Sequence, residues 1–174
     1  RLLAIKLGEL LRQQVVIDNR AGAGGTIGVE TAARAAPDGY TLVAASSATH
    51  SIAPHVYARL GYDVNKDFTP ISLFVITQNL LATHPSLPVK SVKEFIDYAK
   101  ARPGQLNMAS AGAGSTSHLA GVMFTSLAGI SSVHVPYKGG GPSVAAVVAG
   151  EAQWVFTPIA GPLPHVKSGR LRAL

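Results

Sequence analysis

The sequence predicts an α/β fold in which mainly parallel sheets are covered by helices. Short apolar, β-branched runs alternate with stretches at helical spacing from one end of the chain to the other. Alternation of strands and helices at these lengths is typical of parallel sheets flanked by helices. The composition indicates a packed protein, because 47% of the 174 residues are hydrophobic and only 14% are charged.

The first half of the chain, residues 1–77, contains three predicted helices and three predicted strands. Leu3, Leu7 and Leu10 fall at helical spacing, so the chain begins within a helical pattern. The predicted elements of this half are helices at residues 3–11, 26–35 and 52–60 and strands at residues 15–18, 40–45 and 68–77.

The second half, from residue 78, repeats the alternation more regularly. Ser91 is placed to cap a helix, and Glu94 stands where it completes a capping box. The other predicted elements are strands at residues 80–83, 106–109, 132–135, 152–156 and 171–174 and helices at residues 119–127, 142–149 and 162–167. Because the last run is apolar and ends without a cap, we expect the chain to be part of a longer protein.

Composition excludes several functional classes. The sequence has no cysteine, which rules out disulfides, thiolate metal sites and cysteine nucleophiles. No apolar run reaches the roughly 18 residues that a membrane-spanning helix needs. The net charge of +6 is spread over scattered Lys and Arg residues, and aromatic residues make up only 6% of the chain. This pattern argues against nucleic-acid binding and leaves anionic solutes as candidates.

A glycine-rich loop follows the first predicted strand. Gly22, Gly24 and Gly28 are spaced G-x-G-x-x-x-G, one residue longer than the dinucleotide fingerprint. No acidic residue follows at a strand end about twenty residues later, because Asp38 lies in a Pro-Asp-Gly turn. We therefore favour a tight strand-to-helix turn. A nucleotide-binding enzyme that uses the Gly22–Gly28 loop is the alternative function.

Two later loops lead from strands into helices, where free N–H groups and the helix dipole favour an anion. The loop at residues 110–119 contains two glycines and three consecutive hydroxyl residues, of which one is needed as the helix cap. The loop at residues 135–143 combines Tyr137, Lys138 and three consecutive glycines. Ligands of parallel α/β sheets bind at such strand ends, so both loops are candidate ligand contacts.

The residues needed for catalysis or metal binding do not fall into a recognisable pattern. Ser115 and Ser117 lie near His118, but there is no G-x-S-x-G elbow around them. The six histidines lack H-x-x-x-H spacing, and nine carboxylates offer no evident acid pair. We predict no catalytic residue, no metal site and no cofactor.

Taken together, these loops make the chain resemble the extracytoplasmic solute receptors of tripartite tricarboxylate transporters, also called Bordetella uptake gene (Bug) proteins. The matching stretches run in order through almost the whole chain: residues 15–28, 36–42, 62–71, 107–121, 134–140 and 163–174. Their joint occurrence is more specific than any single glycine loop.

The resemblance implies a type II periplasmic-binding-protein-like fold, with two α/β lobes and a ligand cleft between them. Residues 1–77 would form a partial first lobe, residues 78–167 the second lobe and residues 168–174 the start of the return crossing. The opening strand and its loop would lie upstream of Arg1, as would an export signal for the periplasm. The implied partners are a small carboxylate solute and the membrane subunits of the transporter.

In this family the carboxylate is held mainly by backbone amides, hydroxyls and ordered waters. The implied ligand contacts are Ser46, Ser47 and Thr49 in the first lobe and Ala111, Gly112, Gly114, Ser115, Thr116, Ser117, Tyr137, Lys138 and Thr157 in the second. The family often has an acidic residue after the strand that ends here at Phe156, where this chain has Thr157. We take that difference to favour simple carboxylates without an amine.

Two further expectations follow from the predicted missing strand. A 174-residue chain without the upstream loop should bind its solute more weakly than a longer protein, because one side of the carboxylate would lack donors. The first lobe should also expose a sheet edge through which two copies could associate. A third hypothesis, besides the receptor and the nucleotide-binding enzyme, is that the chain folds but has lost ligand binding.

Overall fold

The computed structural model of the protein describes residues 2–174, and its strands all lie in the second half of the chain. The helices are α1 (Leu2–Leu11), α2 (Thr26–Ala33), α3 (Ala53–Val56), α4 (Val92–Lys100), α5 (Thr116–Ala128), α6 (Gly140–Val148) and α7 (Leu163–Lys167). The strands are β1 (Asn79–Thr83), β2 (Asn107–Ser110), β3 (Val133–Pro136), β4 (Trp154–Pro158) and β5 (Arg172–Ala173). A short 3-10 turn at Ala23–Gly25 precedes α2, and a π-helical turn at Ala48–Ile52 precedes α3.

The five strands form one mixed sheet in the order β3-β2-β4-β1-β5. Strand β2 pairs in parallel with both β3 and β4, so that Met108 lies between His134 and Trp154. Strand β1 runs antiparallel to β4 and to β5. The predicted α/β class is confirmed, but only the β3-β2-β4 part of the sheet is parallel.

Strands β1, β2 and β4 are buried on both faces, and neighbouring residues on each of them face opposite layers. Leu81, Met108 and Trp154 lie in a cluster with Phe95 of α4. Their immediate neighbours Ala82, Ala109 and Val155 lie in a second cluster with Val144 and Val147 of α6. A strand buried on both faces needs apolar residues at consecutive positions, which explains why these strands read as continuous apolar runs in the sequence.

The start of α4 follows the predicted cap with one difference. The Ser91 hydroxyl accepts a hydrogen bond from the backbone N–H of Glu94 at 3.2 Å. The Glu94 carboxylate accepts from the backbone N–H of Lys90 at 2.6 Å, one residue before the Ser91 N–H of the predicted capping box. The second half otherwise has the predicted strands and helices, with α6 beginning at Gly140 instead of residue 142.

The first half has the predicted helices α1 and α2, but the predicted strands at residues 15–18, 40–45 and 68–77 are wrong. Within residues 2–78 no segment is paired as a strand. Strands need a neighbour that takes up their N–H and C=O groups, and none of these runs lies beside one. Their side chains are accordingly open to solvent: Val16 is 79%, Tyr40 92% and Ile76 81% exposed.

The predicted helix at residues 52–60 is shorter than expected and starts earlier. The π-helical turn Ala48–Ile52 leads into α3, which ends where Tyr57 adopts an extended backbone with φ −95° and ψ 124°. The division into a first lobe at residues 1–77, a second at 78–167 and a return crossing from 168 stays a prediction. Strand β5 in the last segment pairs with β1, so it belongs to the same sheet.

We expect Phe95→Ala to lower the free energy of unfolding by about 3–5 kcal/mol, because it empties a fully buried site beside Trp154. Urea unfolding followed by far-ultraviolet circular dichroism measures this loss. The control Leu127→Ala removes a side chain that is 85% exposed and should change the free energy by less than about 0.5 kcal/mol. Equal effects of the two changes would contradict the described core.

Candidate functional site

The parallel strands bring three loops to one edge of the sheet. Strands β2, β3 and β4 end there at Ser110, Pro136 and Pro158. The loops after β2 and β3 are tied together, because the N–H of Tyr137 donates to the Ser110 carbonyl at 3.0 Å and the N–H of Gly139 donates to the Ala111 carbonyl at 3.2 Å. The candidate loops at residues 110–119 and 135–143 therefore lie side by side.

Two of the three hydroxyls at the start of α5 are used within their own loop. The Ser115 hydroxyl donates to the Gly112 carbonyl at 2.6 Å and accepts from the N–H of His118 at 3.2 Å, so Ser115 is the helix cap. The Ser117 hydroxyl accepts from the N–H of Ala111 at 2.8 Å. Both serines are buried, with 4% and 1% exposure. Both hydroxyls hold the loop in place, and as ligand contacts Ser115 and Ser117 stay predictions.

Thr116, which lies between the two serines, offers groups that the protein leaves unused. Within residues 2–174 its hydroxyl has no hydrogen-bond partner, and the backbone N–H groups of Thr116 and Ser117 have no acceptor. These two amides open the first turn of α5, a helix of 13 residues. Free amides and the positive end of the helix dipole together favour an anion at this position.

The candidate residues of the first half form a separate, internally bonded turn. The Ser46 N–H donates to the Thr49 hydroxyl at 3.1 Å, and the Tyr62 hydroxyl donates to the Thr49 carbonyl at 2.6 Å. Thr49 is only 3% exposed, whereas Ser46 and Ser47 are exposed. The Thr49 hydroxyl thus supports the turn, and Ser46 and Ser47 are the residues of this group that are open to solvent.

The glycine loop at Gly22–Gly25 connects this turn with the start of α5. A Cβ atom at Gly25 would lie 3.2 Å from Cγ2 of Thr49, and a Cβ atom at Gly24 would lie 3.2 Å from the Ala113 carbonyl oxygen. Both glycines also have positive φ angles, 100° and 65°. The loop that the sequence indicated as a simple turn is therefore the element that brings the two halves of the candidate site together.

Tyr57 is a site residue that sequence reasoning missed. Its hydroxyl donates to the Ala113 carbonyl at 2.9 Å, across 56 positions of the chain. A Cβ atom at Gly114 would lie 3.1 Å from Cε2 of the Tyr57 ring. A tyrosine just after a short helix has no distinctive motif around it, so no signal in the sequence could have identified this contact.

Three other predicted contacts of the second half are Tyr137, Lys138 and Thr157. The Tyr137 ring packs on the apolar layer with Val144, and burial together with the nearby Glu151 carboxylate raises the pKa of Tyr137. Lys138 is exposed, and Thr157 is buried below the start of α6, where a Cβ atom at Gly140 would be 3.8 Å from its hydroxyl. As ligand contacts these residues stay predictions.

A stacked pair of histidines supports the α5 loop from below. The ring centroids of His118 and His134 are 4.1 Å apart. His134 Nε2 is hydrogen bonded to the Ser110 hydroxyl at 2.6 Å. The N–H of Gly114 donates to His118 Nδ1 at 3.3 Å, so this nitrogen is unprotonated. Burial lowers the pKa of both histidines, and the charge of His118 lowers the pKa of His134 further.

Two structural properties bear on other functions. Among residues 2–174, no group of three or more His, Asp or Glu side chains could hold a metal ion. No helix in the same residues is both long and apolar enough to cross a membrane.

The mixed sheet and the helices on its faces define the class of fold as periplasmic-binding-protein-like α/β, the fold of the similar solved structures given below. The model of the family described as "Tripartite tricarboxylate transporter family receptor" matches residues 1–174. The chain therefore belongs to this receptor family, as the resemblance in the sequence implied.

Individual relatives agree with this assignment. The chain is 38% identical to protein BugT of Bordetella pertussis over 175 residues, which cover all of the chain and 54% of BugT. It also superimposes on three solved structures of similar sequence. The first is R. palustris Rpa4515 with adipate, with a TM-score of 0.97 and 36% identity over 100% of this chain and 58% of that chain. The second is MatC from Rhodopseudomonas palustris with bound malate, with a TM-score of 0.91 and 34% identity over 99% of this chain and 59% of that chain. The third is the periplasmic binding protein BugD, with a TM-score of 0.86 and 31% identity over 98% of this chain and 57% of that chain. The chain spans about half the length of the relatives it matches.

We expect stability to depend on pH through His118. The folded protein favours the neutral ring, whereas the unfolded chain takes up a proton near the usual value of 6.5. The contribution is therefore complete above pH 6.5 and is lost as the pH falls through the lower folded pKa. In urea unfolding at a series of pH values, His118→Asn should lose less stability on acidification than the unchanged protein, since Asn can still accept from the Gly114 N–H.

The matched control is His55→Asn, because His55 is exposed. It should lose the same stability on acidification as the unchanged protein. An identical pH dependence of the unchanged protein and His118→Asn would show that His118 is not buried in its neutral form.

Proposed function

We propose that the chain is part of a periplasmic solute-binding receptor that captures a small organic anion, a carboxylate, for a tripartite tricarboxylate-type transporter. One observation carries the proposal: the unused amides and hydroxyl at Thr116 open the first turn of α5, where the Gly22–Gly25 loop meets it. Two similar proteins of known structure hold adipate and malate, which are both carboxylates.

The site favours recognition by neutral donors over a salt bridge. The two amides and the Thr116 hydroxyl are uncharged, and the helix dipole adds a partial positive charge at the same point. Lys138 is exposed and nearby along the adjoining loop, where it can attract an anion without being buried beside it. A carboxylate bound by hydrogen bonds at a helix start keeps its charge and still exchanges readily, as a transport receptor requires.

We prefer the hypothesis of a solute receptor to that of a nucleotide-binding enzyme. A nucleotide would need the backbone of the Gly22–Gly28 loop to face its pyrophosphate. Gly24 instead lies against the Ala113 carbonyl, and Gly25 lies against Thr49. The backbone at Gly24 and Gly25 is therefore already covered by other parts of the protein, where a pyrophosphate would need to approach it. No observation specifically favours the enzyme.

Transport partners and location follow from the same proposal. The family is one of transporter receptors, and BugD is a periplasmic binding protein, which supports a periplasmic location and a docking partner among the membrane subunits of the transporter. The receptor role requires binding and release without chemical change, so we propose no enzymatic activity. We also propose the division into lobes at residue 77, because the sheet begins only at Asn79.

We expect Thr116→Val to weaken carboxylate binding by about tenfold or more, because a hydrogen bond to a charged group contributes about 1.5–3 kcal/mol. Isothermal calorimetry with adipate and with malate measures the affinities. Thr125→Val is the matched control, since its hydroxyl donates to the Val122 carbonyl in the same helix and lies away from the first turn. If neither acid binds the unchanged protein, or if Thr116→Val binds as tightly, the proposed site is wrong.

We also expect the 174-residue chain to self-associate. The unpaired runs at residues 15–18 and 40–45 leave backbone groups and apolar side chains open, including Val16 at 79% and Leu42 at 54% exposure. Sedimentation should detect dimers or larger species, and Val16→Lys with Leu42→Lys should reduce them. Leu127→Lys, at an exposed residue of the second half, should leave association unchanged. A monomer at every concentration would contradict this expectation.

A further inference from the structure

We infer that Tyr57 is a positioning residue that sets the affinity for the carboxylate by fixing the peptide group between Ala113 and Gly114. The inference rests on the proposed function, because it concerns the loop that opens the anion site. It goes beyond that function by assigning a role to a residue of the first half that need not touch the ligand.

The Ala113–Gly114 peptide group is held at both of its polar ends. The Tyr57 hydroxyl donates to its carbonyl oxygen at 2.9 Å, and its N–H donates to His118 Nδ1 at 3.3 Å. One partner comes from the first half of the chain and the other from the second. A peptide group held in this way cannot rotate without breaking a bond at one end.

The Tyr57 ring also occupies a space that two glycines keep open. A Cβ atom at Gly114 would lie 3.1 Å from the ring, and a Cβ atom at Gly24 would lie 3.5 Å from the hydroxyl oxygen. Both glycines have positive φ angles, 74° and 65°. The phenol thus fits between the Gly22–Gly25 loop and the α5 loop and holds the two at a fixed distance.

The position of the Ala113 carbonyl affects how strongly an anion can bind at the start of α5. Ala113 lies three residues before Thr116, and its carbonyl oxygen carries partial negative charge that would repel a carboxylate. Donation from Tyr57 compensates that charge and holds the oxygen toward the first half. The donors at Thr116 are then preorganised, so less ordering is needed when the ligand binds.

Tyr57 is partly buried and is attached just after α3, so its contact also joins the two halves of the chain. Removing the hydroxyl alone leaves the ring to fill the same space. The expected effect is therefore on ligand affinity and on the rate of ligand release, with little effect on unfolding. A residue that serves only packing would show the opposite pattern.

The test compares Tyr57→Phe with Tyr40→Phe in the 174-residue chain. Tyr40 is 92% exposed and serves as the matched control. Calorimetry and stopped-flow measurements with adipate and malate give the affinities and release rates, and thermal melting without ligand gives the stability. We expect Tyr57→Phe to bind about 3–10-fold more weakly, as loss of one neutral hydrogen bond implies. The change should appear in the release rate, and Tyr40→Phe should match the unchanged protein.

The outcomes separate the two proposals. If the unchanged protein binds the acids and Tyr57→Phe binds them equally well, the role of Tyr57 is wrong and the receptor function stands. If Tyr57→Phe melts much lower and its binding-competent fraction keeps full affinity, Tyr57 is only a packing residue and the inference fails. If the unchanged protein binds no carboxylate, the receptor function fails and the inference fails with it.

Discussion

The parallel pairing of β2 with β3 and β4 is the constraint on which the rest of the structure depends. Parallel strands end at a common edge, so the loops after β2 and β3 and the end of β4 come together there. The sheet is covered on both faces by helices, which makes the position of that edge rigid. The start of α5, which follows β2, consequently lies at this edge.

Close approach of backbone is the second requirement of the candidate site. Gly24 and Gly114 lie where a side chain would collide with the Ala113 carbonyl or the Tyr57 ring, and their positive φ angles are costly for other residues. The two halves of the chain therefore meet through backbone and one phenol. This explains why a glycine-rich loop is needed here although it resembles a nucleotide motif only loosely.

The three hydroxyl residues at the start of α5 differ in their hydrogen bonding. Ser115 and Ser117 are hydrogen bonded within the loop, whereas the hydroxyl and amide of Thr116 have no partner among residues 2–174. His118 and His134 complete the support through hydrogen bonds to the Gly114 N–H and the Ser110 hydroxyl, and partial burial lowers the pKa of both rings. A site assembled in this way can bind an anion with uncharged groups, because the Ser115 and Ser117 hydroxyls are already paired within the loop.

The sequence by itself determined the helices and strands of the second half, the α/β class and the family. Those features depend on local patterns, such as the Ser91 cap and the apolar runs at Leu81 and Val155. Each of these patterns can be recognised from a few neighbouring residues. The strands predicted in the first half failed because an apolar run becomes a strand only beside a partner, which a local pattern does not reveal. Only the tertiary structure decided that Thr116 is the free hydroxyl of its loop and that Tyr57 reaches Ala113 across 56 residues. Which donor is already paired, and which distant residue pairs with it, depends on contacts between segments that the sequence order does not contain.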